Sequence, residues 1–103
     1  MSERVFLCSV DALTNGEPKK IEVAEYEPLV VVAVGDRYFA LSDECSHGQA
    51  SLSEGWVEDD LIICPMHSGG FALATGEPEL LPCMDPVKRY DVVRDGNALY
   101  LTS

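Results

Sequence analysis

Basic residues and histidines are scarce in this sequence of 103 amino acids. Lys and Arg number 7 against 18 Asp and Glu, which gives a net charge of −11 at pH 7, and there are only 2 His. A surface this acidic argues against nucleic-acid backbones and anionic membranes as partners, and it favours a basic protein surface. Excess negative charge also simply keeps a protein in solution, so the charge alone does not identify a partner.

Long apolar runs are also missing. The longest, LVVVAV at Leu29–Val34, has six residues, too few to cross a bilayer. The N-terminal stretch MSERVFLCSVDAL lacks a basic segment followed by an apolar one, so we expect no secretory signal and a cytoplasmic location. In a reducing compartment the four cysteines are expected to be ligands, catalysts or core residues rather than a disulfide framework.

No segment keeps a 3.6-residue apolar period over a helical length, and no internal repeat is visible, which argues against a helical bundle or a solenoid. Short β-rich segments alternate with turn signals instead. The sequence therefore predicts an all-β fold, an antiparallel β-sandwich or barrel of nine or ten short strands. LVVVAV is expected to be buried on both faces, and GDR after it predicts a hairpin. The length fits a single domain, residues 1–103.

Motifs of nucleotide-dependent catalysis are absent, since the chain has neither a P-loop nor a dinucleotide fingerprint. What it does have is a cysteine beside each of its two histidines, in DECSHGQA and CPMHSGGF. The pattern is Cys-x-His, sixteen residues, then Cys-x-x-His, formed by Cys45, His47, Cys64 and His67. Thiolate and imidazole are ligands of zinc and of iron–sulfur centres, so these four residues predict a metal site.

Zinc and iron are the two candidates for this site. Common Cys₂His₂ zinc sites pair Cys with Cys and His with His, whereas here each loop supplies one of each. The mixed order suits a two-iron centre in which one iron takes both thiolates and the other takes both imidazoles. A zinc-stabilised binding module that uses the same residues is the alternative, and colour separates the two because zinc protein is colourless.

The segments CSH and CPMH resemble the Rieske [2Fe–2S] signature. Residues 3–102 as a whole resemble the small Rieske-type ferredoxins of bacterial aromatic-ring-hydroxylating dioxygenase systems, with VFLCSVDAL, GDRYFAL and TGEPELLP also fitting. The resemblance implies a β-sandwich of the Rieske fold with a cluster-binding subdomain at approximately residues 43–70. It also implies one [2Fe–2S] cluster, with Cys45 and Cys64 on the buried iron and His47 and His67 on the outer one. Residues 81–86 would cover its flank.

A centre with two thiolates is neutral when oxidised and accepts an electron more easily than a centre with four, which is why Rieske potentials lie above those of plant-type ferredoxins. The resemblance implies a one-electron carrier, not an enzyme, between a flavin-containing NAD(P)H reductase and a terminal Rieske non-haem iron oxygenase. We expect a monomer. A carrier for another redox system is an alternative; a Rieske domain of an oxygenase large subunit is disfavoured because the chain ends at Ser103.

Five further features bear on the site or on the packing around it. Trp56 could conduct electrons, but a core or sheet-face aromatic is favoured. The acidic turn SEGWVEDD could dock a partner, although solvated hairpin carboxylates are the commoner case. Cys8 is expected to be a small buried hydrophobe, and Cys83 a packing residue rather than a shield for the cluster. Glycines beside the ligands, Gly48, Gly69 and Gly70, would allow close backbone approach to the metal site.

Overall fold

The computed structural model describes residues 4–24, 26–44, 50–65, 69–80 and 86–102. Within them lie ten strands and two 3₁₀ turns, the turns being Val10–Ala12 and Leu52–Glu54. No helical segment of this part of the chain has the length and apolarity to cross a bilayer. The strands are β1 Arg4–Ser9, β2 Lys19–Ile21, β3 Leu29–Val34, β4 Arg37–Ser42, β5 Trp56–Glu58, β6 Leu61–Ile63, β7 Gly70–Ala72, β8 Pro78–Leu80, β9 Arg89–Asp95 and β10 Ala98–Thr102.

The strands form two sheets. The larger has six strands in the order β1-β10-β9-β4-β3-β2, and the smaller has four in the order β5-β6-β7-β8. Every neighbouring pair in both sheets is antiparallel. The predicted antiparallel all-β class is confirmed. The predicted cluster-binding subdomain, residues 43–70, stays a prediction; the smaller sheet runs from Trp56 to Leu80.

The larger sheet curls around an inner core. Leu7 and Cys8 of β1 and Ile21 of β2 belong to one buried cluster, although these strands are the two edges of the sheet. In a flat sheet those edges would lie about 24 Å apart, because neighbouring strands are spaced by about 4.8 Å. The sheet therefore bends until its edges share one apolar interior, which Leu99 and Leu101 also line.

A second core, the intersheet core, lies between the outer face of β3 and β4 and the smaller sheet. Val30, Val32 and Leu41 pack there against Ile62 and Phe71. The alternate residues of β3, Leu29 and Val31, face the inner core. Because side chains alternate along a strand, β3 needs apolar residues at every position, which confirms the prediction that it is buried on both faces.

The hairpin turns lie where the sequence predicts them. Gly35 at the β3–β4 turn has φ +63°, and Asp59 and Asp60 at the β5–β6 turn have φ 50° and 64°. A two-residue turn with both residues at positive φ matches the twist of the flanking strands, and aspartate tolerates this conformation better than most side chains. The acidic turn thus has a backbone role in addition to its charge.

The stretch KRYDVVRDGNALYLT predicts a hairpin around RDGN, and β9 and β10 confirm it. The alternation in KRYDVVRDGNALYLT singles out Tyr90, Val92, Ala98 and Tyr100, but the ladder pairs Val92 with Leu101 and Val93 with Tyr100. The two-residue turn at Gly96 and Asn97 makes even-numbered residues of β9 face odd-numbered residues of β10. Consequently Tyr90 and Val92 pack on the inner core with Leu99 and Leu101, whereas Ala98 and Tyr100 point to the opposite face.

Candidate metal centre

The first ligand loop, residues 43–52, leaves the end of β4 and is fastened at its base. A bridge pairs Glu44 with Ser51. The backbone N–H of Leu52 donates to the carbonyl of Asp43 at 2.6 Å, and the N–H of Ser53 donates to Asp43 Oδ1 at 2.7 Å. Asp43 is only 2% exposed, so its carboxylate is committed to this internal bond. The two ends of the loop are therefore held together whatever its tip binds.

The second ligand loop, residues 64–69, joins β6 to β7. The N–H of Cys64 donates to the carbonyl of Gly69 at 2.7 Å, which continues the ladder from the Ile63–Gly70 pair. Cys64 is 2% exposed and belongs to the intersheet core together with Leu52 and Phe71. This loop too begins and ends at one closed base, with its cysteine turned into the protein.

Gly55 joins the two loops. It follows the 3₁₀ turn at the end of the first loop and packs directly on the strand that leads into the second. A Cβ at this position would overlap the carbonyl oxygen of Ile63 and would lie 3.2 Å from Pro65 Cδ. Only glycine allows this approach, so the loop bases are neighbours because residue 55 has no side chain.

Of the four predicted ligands, the structure describes Cys64 alone. Cys45, His47 and His67 lie outside the described residues, as do Gly48 and Cys83. Ala50, where the described part of the first loop resumes, packs against the core that contains Cys64. The predicted ligand set stays a prediction, while the bases from which all four residues extend are adjacent.

Sequence reasoning missed a carboxylate behind the first loop. Glu27 accepts hydrogen bonds from Ser42 Oγ at 2.9 Å and from the Tyr90 hydroxyl at 2.6 Å. Burial, then the hydrogen bond to Glu27 and its negative charge, raise the pKa of Tyr90 above its ordinary value. Glu27 thereby ties β4, just before the loop, to β9. A glutamate directly before Pro28 in a polar stretch gave no signal of this role.

Charge is distributed unevenly around the loops. All seven basic residues lie in residues 4–37 and 88–94, whereas residues 38–87 contain nine Asp and Glu and neither Lys nor Arg. A cleft of about 410 Å³ opens at the base of the first loop, and four carboxylates line it with Lys20. They are Glu27, Asp43, Glu44 and Glu54. The side of the protein that carries both loops is strongly negative.

Two further sequence predictions can be tested. Cys8 is buried in the inner core, as predicted, and burial raises its pKa despite the opposing effect of Lys19.

Trp56 is not a core residue. It is 42% exposed on β5, an edge strand of the smaller sheet, so the sheet-face interpretation is confirmed and the core one is wrong.

Comparisons with known proteins agree with the sequence resemblance. The model of the Rieske [2Fe–2S] domain family matches residues 3–91. The 3-phenylpropionate/cinnamic acid dioxygenase ferredoxin subunit of Photorhabdus laumondii is 43% identical over 102 residues, covering 96% of this chain and 93% of its own. The ferredoxin of Sphingomonas yanoikuyae B1 superposes with a TM-score of 0.92 at 31% identity, over 98% of this chain and 99% of its own. A chain in a complex of reduced oxygenase and oxidized ferredoxin in carbazole 1,9a-dioxygenase is 35% identical. It superposes with a TM-score of 0.85 over 97% of this chain and 91% of its own.

The fold and the paired loops define an iron–sulfur protein of the Rieske type, and the chain belongs to the Rieske [2Fe–2S] domain family. The predicted resemblance to ferredoxins of dioxygenase systems is confirmed. The family match supports an iron–sulfur cluster as the cofactor. The described residues fit it, because Cys64 offers a thiolate, a soft ligand suited to iron–sulfur clusters, at a closed loop base in an apolar surround.

Proposed function

We propose that this protein is the ferredoxin component of an aromatic-ring-hydroxylating dioxygenase system. It would accept single electrons from a flavin-containing NAD(P)H reductase and deliver them to a terminal Rieske non-haem iron oxygenase. The names of its relatives support this role, since they are dioxygenase ferredoxin subunits and one was solved with an oxygenase. The chain would act as a carrier and carry out no substrate chemistry of its own.

The proposed ligands are Cys45 and Cys64 for one iron and His47 and His67 for the other. When bound, one [2Fe–2S] cluster would supply reversible one-electron chemistry. The thiolates would be drawn toward the interior, as the burial of Cys64 supports. Each imidazole would bind iron through one ring nitrogen and keep its second nitrogen available for a proton. With the imidazoles on the outer iron, their ring edges would be the part of the centre that a partner surface reaches.

The observation that carries this proposal is the joined pair of loop bases. Asp43 closes the first base and the Cys64–Gly69 bond closes the second, and Gly55 allows the two bases to lie in contact. A carrier benefits from such a rigid frame, because ligands that barely move on reduction keep the reorganisation small. Two loops that each supply one thiolate and one imidazole from neighbouring bases suit a single diiron site.

The proposal is tested on dithionite-reduced protein by EPR and by iron and sulfide analysis. We expect a signal of mixed histidine and cysteine ligation and close to two irons per chain. Replacing Cys45 by Ser or His67 by Ala should remove the signal and most of the iron, because a ligand is lost.

Cys8→Ala is the matched control. It removes a buried thiol from the inner core, outside the ligand set, and should leave iron content and spectrum unchanged. Colourless protein that binds zinc, or Cys45→Ser protein with full iron and an unchanged visible spectrum, would contradict the proposed centre. An intact centre that passes no electron to an oxygenase would contradict the proposed role instead.

A further inference from the structure

Trp56 is a large aromatic side chain left open to solvent on β5, which pairs with the strand that leads into the second ligand loop. It is the only tryptophan of the chain and is 42% exposed. It lies on β5, which pairs only with β6 among the described strands and so forms an edge of the smaller sheet. Tryptophan is among the residues most enriched at binding hot spots, because a rigid ring covers much area and loses little entropy when it is fixed.

The indole has a hydrogen-bond partner on its own strand. Its Nε1–H donates to the Glu58 carboxylate two residues along the same strand. Trp56 pairs with Ile63 across the ladder, and Ile63 immediately precedes Cys64. Gly55 fixes the start of β5 against the same Ile63. An exposed aromatic surface therefore adjoins the base of the second ligand loop.

The rim of this surface is acidic. Glu54, Glu58 and Asp59 are exposed around Trp56. Of the basic side chains, Arg37 is bonded to Asp60 at 3.0 Å at the end of the β5–β6 turn, and Lys20 lines the cleft that Glu54 also lines. Because residues 38–87 contain no Lys or Arg, nothing in that segment neutralises the rim. Its charge complements a contact surface that carries Arg and Lys, and a guanidinium also stacks well on an indole face.

We propose that this β5 surface, formed by Trp56, Glu54, Glu58 and Asp59, docks the terminal oxygenase through a basic contact surface on that partner. The inference rests on the proposed function and adds a lateral contact that lies beside the second ligand loop. The indole would supply the central apolar contact and the carboxylates the charged rim. Such a contact suits a carrier that must bind briefly and leave, since small polar interfaces dissociate quickly.

The test uses cluster-loaded protein labelled with 5-fluorotryptophan, in which Trp56 gives one ¹⁹F resonance. Adding unlabelled oxygenase should shift or broaden that resonance. The dissociation constant for the oxygenase, measured by calorimetry, should rise about tenfold or more in Trp56→Ala. In Glu58→Gln the indole keeps an acceptor while one charge is lost, so binding should weaken less and depend less on salt.

Phe6→Ala is the matched control, because Phe6 is the other exposed large aromatic, 56% exposed, on β1 of the larger sheet. It should bind the oxygenase as the unaltered protein does. Equal affinity of Trp56→Ala and the unaltered protein, or a resonance that moves only with the reductase, would overturn the docking surface and leave the electron-carrier role intact. Failure of the unaltered protein to reduce the oxygenase at all would overturn the proposed function itself.

Discussion

Single residues outside the ligand set hold the loop bases in place. Asp43 makes three such hydrogen bonds. Its N–H donates to the carbonyl of Pro28 at 3.0 Å, its carbonyl accepts from the N–H of Leu52, and its carboxylate accepts from the N–H of Ser53. A buried carboxylate is tolerated because it is hydrogen-bonded. The sequence marks the cysteine and histidine that follow but gives no sign of Asp43, because its function depends on residues ten positions away.

Removing the Tyr90 hydroxyl should lower the free energy of unfolding at neutral pH, and this loss should become smaller at alkaline pH. Tyr90→Phe deletes the hydrogen bond to Glu27, worth about 1 kcal/mol. Since the pKa of Tyr90 is raised by folding, the folded state keeps a proton that the unfolded chain loses above about pH 10. Stability supplied by this group is therefore complete below that pH and falls as the pH rises further.

The measurement is the urea midpoint from pH 8 to 11 for both proteins. The difference in urea midpoint between the unaltered protein and Tyr90→Phe should become steadily smaller above about pH 10. Phe39→Leu, which removes no hydroxyl, serves as the control and should keep a constant offset. A Tyr90→Phe gap that is the same at pH 8 and pH 11 would mean that the phenol keeps its ordinary titration.

At the scale of strands, the sequence predicts where strands and turns occur better than it predicts which strands pair. LVVVAV, the Gly35 turn and the acidic turn at Asp59 are all found where their residues indicate, because propensity and turn chemistry are local. The sheet face on which Tyr100 lies depends on the register between β9 and β10. The exposure of Trp56 depends on the position of β5 at the edge of its sheet. The local sequence encodes neither of these. The role of Gly55 is also not visible in the local sequence, because it depends on contact with Ile63 of β6, a strand that comes later in the chain.

Adding one methyl group at Gly55 should disturb the junction of the two loops. The new Cβ would overlap the Ile63 carbonyl oxygen, so β5 must move away from β6 beside Cys64. We expect Gly55→Ala to lose about 1–3 kcal/mol of stability, the usual cost of overpacking, and to bind iron incompletely. Iron and sulfide per chain and the thermal midpoint measure the two effects.

Gly35→Ala provides the comparison, since it strains a positive-φ turn at the opposite end of β4 where a Cβ meets nothing within 4 Å. It should cost about 1 kcal/mol through the backbone alone and keep full iron. Full iron content in both variants would show that the loop bases need no close approach at Gly55.

On the scale of the whole molecule, negative charge is concentrated in residues 38–87, which contain nine Asp and Glu and neither Lys nor Arg. Four of the seven basic side chains, Arg4, Lys20, Arg37 and Arg89, lie in ion pairs, and all seven precede or follow the segment that contains the smaller sheet. Exposed pairs of this kind stabilise little, and one of them, Arg37 with Asp60, reaches from the larger sheet to the β5–β6 turn. The protein is therefore an electrostatic dipole whose negative end carries the ligand loops, and its field can orient an approaching partner.

This dipole predicts that electron transfer to the oxygenase slows as salt is added. Screening shortens the reach of the field from about 30 Å at 0.01 M ionic strength to about 8 Å at 0.15 M, so encounters lose their orientation. We expect the second-order rate constant, measured by stopped flow, to fall about tenfold or more over this range. Reduction of the same protein by a small uncharged reductant is the control and should change little, because no steering is involved. A rate to the oxygenase that is flat in salt would remove the charge separation from the account of docking and leave the apolar contact at Trp56 as its main source of affinity.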